Sequence, residues 1–347
     1  MTNYQAVASI GWNPFFQQQL SLDEWDEVIP ARVIEQHKSR VALATESGHI
    51  SLQLTPNMPT LVEGDWLLLD KKHRFYRLLE RKTCFRRKSA GADVNWQLIA
   101  ANVDTAFIVC SLNDDFNLNR IERYLSLANA AEVEPVIVLS KSDLVDEPQM
   151  WLEQVHQMDK NLPVVTINAL SPGCSDVLNE WLSVGKTVVI LGSSGVGKST
   201  ITNTLLGEQR QATGGIREDD DKGRHTTTNR SLISLPGGAM ILDTPGMREL
   251  QIAHCQDGIA STFADIEELS LQCRFSDCSH DTEPGCAVVA AVSAGKLDAR
   301  RRKNYQKLIK EEAMNSASLS ERRANDKALG KFYKRTLADA YKIKGRQ

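Results

Sequence analysis

The segment Gly192-Ser193-Ser194-Gly195-Val196-Gly197-Lys198-Ser199 follows an apolar run, Thr187 to Leu191, and leads into an amphipathic stretch, Ser199 to Leu206. A glycine, four residues and then Gly-Lys-Ser, between an apolar run and an amphipathic one, require a strand, a tight loop and a helix. Glycines allow successive backbone N–H groups to point inward, and the helix adds its positive end, so the loop can cradle phosphates. Gly192 through Thr200 are therefore the expected phosphate-binding residues, with Lys198 on the β and γ phosphates and the Ser199 hydroxyl on a bridging Mg²⁺.

The base must be read elsewhere. Ser140-Lys141-Ser142-Asp143 follows the apolar strand Val136 to Leu139. Asp143 can accept from guanine N1–H and N2–H₂. Adenine lacks that donor pair and would leave a buried carboxylate unpaired, which favours GTP over ATP. The common Asn-Lys-x-Asp pattern has Asn where this chain has Ser140, which leaves open whether the shorter side chain reaches the base or braces the phosphate loop. Asn168-Ala169, closing the strand Pro163 to Ile167, offers a backbone N–H for guanine O6. Downstream, Ile241-Leu242-Asp243-Thr244-Pro245-Gly246 ends another apolar run. Asp243 is expected to hold a Mg²⁺ water, and the Gly246 N–H to meet the γ-phosphate. Gly223-Arg224-His225-Thr226-Thr227-Thr228 lies in a polar stretch with the composition of a loop, and one of its threonines, preferably Thr227, completes the Mg²⁺ shell. Met247 follows Gly246, where many GTP-hydrolysing proteins place a water-orienting glutamine. Met cannot orient water, and His225 is the best substitute.

Seven cysteines form an odd set, and three of them cluster as Cys273-x₄-Cys278-x-His280-x₅-Cys286. Four soft or borderline ligands within a short loop suit a closed, tetrahedral, structural Zn²⁺. The net charge of −3 hides an asymmetry, because residues 296–347 carry 16 Lys or Arg against 6 Asp or Glu. Arg300-Arg301-Arg302-Lys303, Lys307, Lys310, Arg322-Arg323, Lys327, Lys331 and Lys334-Arg335 read as a phosphate-binding helical surface suited to RNA. Ahead of the nucleotide region, short alternating strands at residues 29–33, 41–43, 50–54, 66–68 and 76–78 suggest an OB-type β-barrel. Basic residues Arg77, Arg81, Lys82, Arg86, Arg87 and Lys88 flank its exit, and Lys88 to Ala92 reads as a linker.

Between barrel and phosphate loop, strand and helix patterns alternate: Thr105 to Ser111, Leu118 to Ala131, Val136 to Leu139, Pro148 to Met158, Pro163 to Ile167. Right-handed crossovers then give a parallel sheet with helices on both faces and the nucleotide at the carboxyl ends of its strands. The base reader precedes the phosphate loop, the reverse of the ordinary order, so the nucleotide domain is circularly permuted. With 41% hydrophobic residues the chain can fill more than one core. No run approaches roughly 18 apolar residues, and the N-terminus lacks a basic region followed by an apolar one, so a cytoplasmic location without membrane partners is expected.

Ile99-Ala100-Ala101-Asn102-Val103-Asp104, Gly195 to Ser199, Gly223 to Thr228, Asp243 to Gly246 and the cysteine cluster together resemble the ribosome small-subunit-dependent GTPase A family, RsgA, from about residue 28 to 335. The resemblance implies a multidomain chain: an extension at 1–28, an OB-type barrel at 29–88, a circularly permuted α/β P-loop GTPase domain at 95–252 and a zinc-binding helical module at 253–347. It implies zinc on Cys273, Cys278, His280 and Cys286, Mg²⁺ with GTP, and a water-positioning role for His225. It further implies a monomer that binds the small ribosomal subunit and its rRNA during late maturation and leaves after hydrolysis. The alternative is an rRNA-binding assembly checkpoint gated by GTP or GDP, in which hydrolysis is incidental.

Overall fold

The structure, a computed structural model, describes residues 4–88, 96–113, 115–171, 173–208, 231–243 and 251–317. Two short helices, α1 (Tyr4–Ala8) and α2 (Pro14–Gln17), precede five strands: β1 (Val28–Gln36), β2 (Arg40–Thr45), β3 (Gly48–Gln53), β4 (Trp66–Asp70) and β5 (Phe75–Leu78). They pair antiparallel in the order β3-β2-β1-β4-β5, and the register of β1 against β2 shifts between Val33 and Glu35. Period-two alternation divides the apolar run of β4 between two cores. Leu67 and Leu69 face inward with Ala31, Val33, Val41 and Leu43, while Trp66 and Leu68 meet Val7, Trp12, Phe16 and Leu20.

The N-terminal segment is therefore packed against the strands. Trp12 meets Trp66 edge-on with ring centroids 5.0 Å apart, and Phe16 is 2% exposed. Burying each of these aromatics stabilises the fold by about 2–3 kcal/mol. Arg77 of β5 reinforces the seam through Glu24 (2.8 Å) and the Gln19 carbonyl (2.7 Å). Arg81 is likewise paired with the buried Asp65 at 2.6 Å, and Arg87 donates to Gln97 at 2.9 Å. The expected basic flank of the barrel is thus corrected: these three arginines satisfy internal partners, and Lys82 and Arg86 are its exposed charges among the described side chains. The linker reading of Lys88 to Ala92 also changes at its start, because β6 (Cys84–Lys88) pairs antiparallel with β7 (Trp96–Ala101). Phe85, Ile99 and Ala100 bury in the central core, which supplies the reason for a hairpin there.

The central sheet contains β8 (Thr105–Ser111), β9 (Glu134–Ser140), β10 (Val164–Thr166), β11 (Thr187–Gly192), β12 (Ser231–Ser234) and β13 (Met240–Asp243), in the order β10-β9-β8-β11-β13-β12. Its helices are α3 (Leu118–Ala130), α4 (Gln149–His156), α5 (Cys174–Leu178) and α6 (Lys198–Leu206). All pairings are parallel except β12 with β13, so the sheet is mixed and the all-parallel expectation fails at this edge. Leu235 and Ala239 close a tight turn between these two strands, and a connection that short can join only antiparallel strands.

The five-stranded unit meets this sheet where Glu35 of β1 pairs with Ser231 of β12. Beneath that junction Arg32 is wholly buried. It donates to the carbonyls of Ile10 (2.5 Å) and Asn102 (3.1 Å) and to Thr187 Oγ1 (2.8 Å), with its guanidinium over the Trp66 ring. Burial pushes its pKa down to about 10, which still leaves it charged at neutral pH.

Beyond the sheet come α7 (Gln256–Thr262), α8 (Ala264–Ser270), α9 (Ala287–Ser293) and α10 (Ala299–Ser316). α7 lies so close on α3 that a Cβ added at Gly258 would sit 2.2 Å from the Ser126 carbonyl oxygen. No helix among the described residues is long and apolar enough to cross a membrane.

Candidate nucleotide site and metal centre

The carboxyl ends of β8, β9 and β11 lie side by side, with Gly192 opposite Val109 and Ser111 opposite Ser140. Gly192 has φ +144°, and a Cβ there would lie 2.4 Å from the Val109 carbonyl oxygen, so glycine is required where the phosphate loop leaves the sheet. Val196 is buried, Ser194 and Gly195 are exposed, and α6 starts at Lys198. Lys198 Nζ bonds the carbonyl oxygens of Gly192 (2.8 Å) and Ser193, so the side chain lies along its own loop. Ser199 and Thr200 occupy the first turn of α6, whose N-terminus faces the loop.

Ser140 is fully buried, and its Oγ donates to the Val196 carbonyl at 2.6 Å. The short side chain thus reaches the phosphate loop, which resolves the bracing question that the sequence left open. Lys141 adopts φ 59°, and Ser142 N–H donates to the Ile167 carbonyl (3.2 Å). Thr204 of α6 donates to the Ala169 carbonyl at 2.6 Å, and Asn168 Oδ1 accepts from Leu170 N–H. The tetrapeptide, the Asn168-Ala169 loop and the phosphate loop therefore form one hydrogen-bonded rim. Asp143 is exposed on that rim, in contrast to the buried carboxylate expected from the sequence. Asp243 closes β13 beside β11, with Leu242 opposite Val189. His225, Thr227 and Gly246 lie outside the described residues, as do the basic positions from Arg322 onward.

Sequence reasoning missed one side chain at this rim. Arg120, in the first turn of α3, donates through Nη1 to Ser193 Oγ at 2.8 Å and to Asp115 at 2.6 Å. A lone Arg on a helical pattern carries no motif that would single it out.

The second cluster joins Cys273, Cys278, His280 and Cys286, whose ligand atoms all lie within 4.8 Å of one another. Sγ of Cys273 is 3.8 Å from Sγ of Cys286, and His280 Nδ1 lies 3.6 and 3.5 Å from these two sulfurs. A tetrahedral ion with metal–sulfur bonds of about 2.3 Å and a metal–nitrogen bond of about 2.05 Å would need edges of about 3.8 and 3.6 Å. The donor set and its spacing therefore fit such a metal. Burial lowers the His280 pKa and favours the neutral ring that a metal requires. Desolvation, opposed by the His280 N–H and reinforced by the neighbouring thiols, pushes Cys278 up to about 11. Desolvation also raises Cys273, but the N–H groups of Ala287 and Val288 outweigh it and lower the thiol overall.

The loop carrying these ligands is fixed from two sides. Glu283 accepts from Ser279, Asp281 and Thr282, and these bonds, Ser279 first, hold its carboxyl at about 2. From α10, Gln306 donates to the Ser279 (2.8 Å) and His280 (2.9 Å) carbonyls. Cys286 also caps α9 by accepting from Val289 N–H.

The basic surface of α10 is smaller than the sequence suggested. Arg301 is 5% exposed and binds Glu122 and Asp265, and Arg300 binds Glu122, Asp298 and Asn119. Lys303, Lys307 and Lys310 remain exposed at spacings of four and three, on one face of the helix.

Residues 78–253 match the family model described as RsgA GTPase. Over 97% of its length the chain is 54% identical to the small ribosomal subunit biogenesis GTPase RsgA 2 of Vibrio parahaemolyticus, covering 94% of that protein. YjeQ from Thermotoga maritima superposes with a TM-score of 0.59 at 27% identity, over 82% of this chain and 98% of that one. YloQ, a circularly permuted GTPase, has the same fold, with a TM-score of 0.58 at 22% identity over 84% of this chain and 97% of its own.

Proposed function

The chain belongs to the RsgA GTPase family and is a GTP hydrolase, and we propose that it acts on the small ribosomal subunit during late maturation, with hydrolysis stimulated by that particle. The observation that carries the nucleotide part of this reading is the Ser140–Val196 bond, which joins the tetrapeptide expected to read the base to the loop expected to hold the phosphates. In this proposal Lys198 leaves the carbonyls of Gly192 and Ser193 for the β and γ phosphates, and Gly192 through Thr200 wrap them. Asp143 accepts from the guanine edge, and Asn168-Ala169 covers its O6 side. Ser199, Thr227 and Asp243 would hold Mg²⁺, which would supply charge screening at the phosphates. Gly246 meets the γ-phosphate, and His225 orients the attacking water.

The Cys273–Cys278–His280–Cys286 set would hold one Zn²⁺ with no ligand position open to water, a structural role. Lys303, Lys307 and Lys310 would face rRNA phosphates, giving salt-dependent binding with little sequence choice. The domain limits are proposed at 29–88, 95–252 and 253–347, with residues 1–28 as an N-terminal extension, in a cytoplasmic monomer. GTP hydrolysis measured with and without purified small subunits, with ATP in parallel, tests the reading. GTP-selective stimulation is expected, and His225→Ala should depress turnover far more than binding. Tight subunit binding without any stimulation would instead favour an assembly checkpoint in which hydrolysis is incidental.

A further inference from the structure

One helix touches both the phosphate loop and the basic C-terminal helix. At its first turn, Arg120 bonds Ser193, the second residue of the phosphate loop, and Tyr124 faces the same hydroxyl one turn later. Between these two residues, Glu122 and Arg123 serve α10. Glu122 is 0% exposed and accepts from Arg300 (2.9 and 3.0 Å), Arg301 (2.9 Å) and Asn304 (2.5 Å). Arg123 grips both oxygens of Glu311 at 2.6 and 2.7 Å. Bidentate and charge-assisted bonds of this kind fix orientation as well as distance. A helix is stiff over this length, so the loop and α10 are fastened to a single rigid body.

We propose that Arg120 is a positioning residue for the phosphate loop, and that α3 couples occupancy of that loop to the seating of α10. The proposal rests on the reading of the loop as the GTP site. The element with two arrangements is the loop itself. Lys198 Nζ here bonds the Ser193 carbonyl, and phosphates would draw it away. Ser193 then keeps its tether to Arg120 and passes any shift of the loop to α3. Coupling of this kind is reciprocal, so loosening α10 has to change nucleotide affinity.

The test is titration of the full-length protein with fluorescent GTP and GDP, with thermal melting alongside. Arg120→Ala is expected to weaken GTP binding at least fivefold and to raise KM more than it lowers kcat, with partial rescue by Arg120→Lys. Glu311→Ala and Arg123→Ala, which break a half-exposed pair away from the loop, should each shift GTP affinity roughly 3- to 10-fold, within or just below the usual range of such couplings. The reversed pair Arg123→Glu with Glu311→Arg should restore it. Native affinity in Arg120→Ala overturns the positioning role. Native affinity in both Glu311→Ala and Arg123→Ala, with melting unchanged, overturns the coupling. Failure of the native chain to bind GTP would sink the underlying reading and this proposal with it, whereas binding with unaltered variants sinks this proposal alone.

Discussion

Ser140→Ala is the sharpest probe of how the nucleotide rim is built. The hydroxyl is fully buried and lies 2.6 Å from the Val196 carbonyl oxygen. Its removal leaves that carbonyl without the donor while opening almost no space, so the cost is that of an orphaned buried acceptor, about 1–3 kcal/mol. If the bond holds the loop in the shape that phosphates require, the cost appears in binding. At 1.4 kcal/mol per decade, GTP affinity should then fall by roughly 5- to 140-fold. If the loop keeps its shape unaided, the same cost appears only as a lower denaturation midpoint. Titration with fluorescent GTP beside urea unfolding separates the two. Ser140→Cys, close in size but a weak donor, should fall between native and Ala in binding. A Ser140→Ala protein that binds GTP within twofold of native, whatever its unfolding midpoint, refutes the claim that this hydroxyl prepares the loop.

Three further outcomes are expected. Exhaustive chelation should release about one equivalent of zinc, read by atomic absorption, and should loosen α9 and the Gln306 contact in hydrogen exchange; a protein purified without metal yet equally protected there contradicts the structural role. Arg32→Met leaves the carbonyls of Ile10 and Asn102 and the Thr187 hydroxyl without their donor, partly offset by relief of a desolvated charge, and should cost about 2–5 kcal/mol in urea unfolding. Glu24 is held at about 2, first by its hydrogen bond to Arg77, against an ordinary 4.5. Because the folded value is the lower one, this stabilisation is complete above about pH 4.5 and fades as pH falls toward 2. After allowance for solvent screening it amounts to roughly 1 kcal/mol. Glu24→Gln should therefore lose less stability than native between pH 6 and 3 by tryptophan fluorescence, and an equal loss would rule the pair out.

The sequence exposed those parts of the molecule whose physics is local. A phosphate loop needs glycines at fixed offsets, and a tetrahedral cluster needs four ligands in one loop, so each is visible within fourteen residues or fewer. The five strands of the first unit followed from period-two alternation, though their limits differ by up to three residues. Partnerships across the chain stayed hidden. Arg300 and Arg301 read as surface charge because nothing near them in sequence announces Glu122, about 180 residues away. Trp12 and Phe16 could not be placed until β4 was seen to bury both faces. Ser140 departs from the common tetrapeptide, yet its hydroxyl reaches the loop because β9 ends beside the strand that neighbours β11.

Both flanking units are locked to the central sheet by buried arginines as well as by apolar packing. Arg32 locks the five-stranded unit to β11 and to the residue after β7, and Arg301 locks α10 between α3 and α8. Apolar contacts alone let surfaces slide, because burial is roughly indifferent to small translations. A guanidinium in the interior does not, since each donor has to keep its acceptor or incur the penalty of an unpaired buried group. The attachments therefore fix direction as well as proximity. The lysine face of α10 and the nucleotide rim keep a set relation to each other as long as Glu122 holds Arg300, Arg301 and Asn304. Circular permutation adds the covalent half of the same arrangement. In the permuted order β13, with Asp243 at its end, is the last strand of the sheet, and the chain runs on into α7, which packs on the helix that bonds the phosphate loop. A chain in the ordinary order would end its nucleotide domain at the base reader. This one ends it on the strand expected to sense the γ-phosphate, and that strand is followed in sequence by the module that carries the basic face.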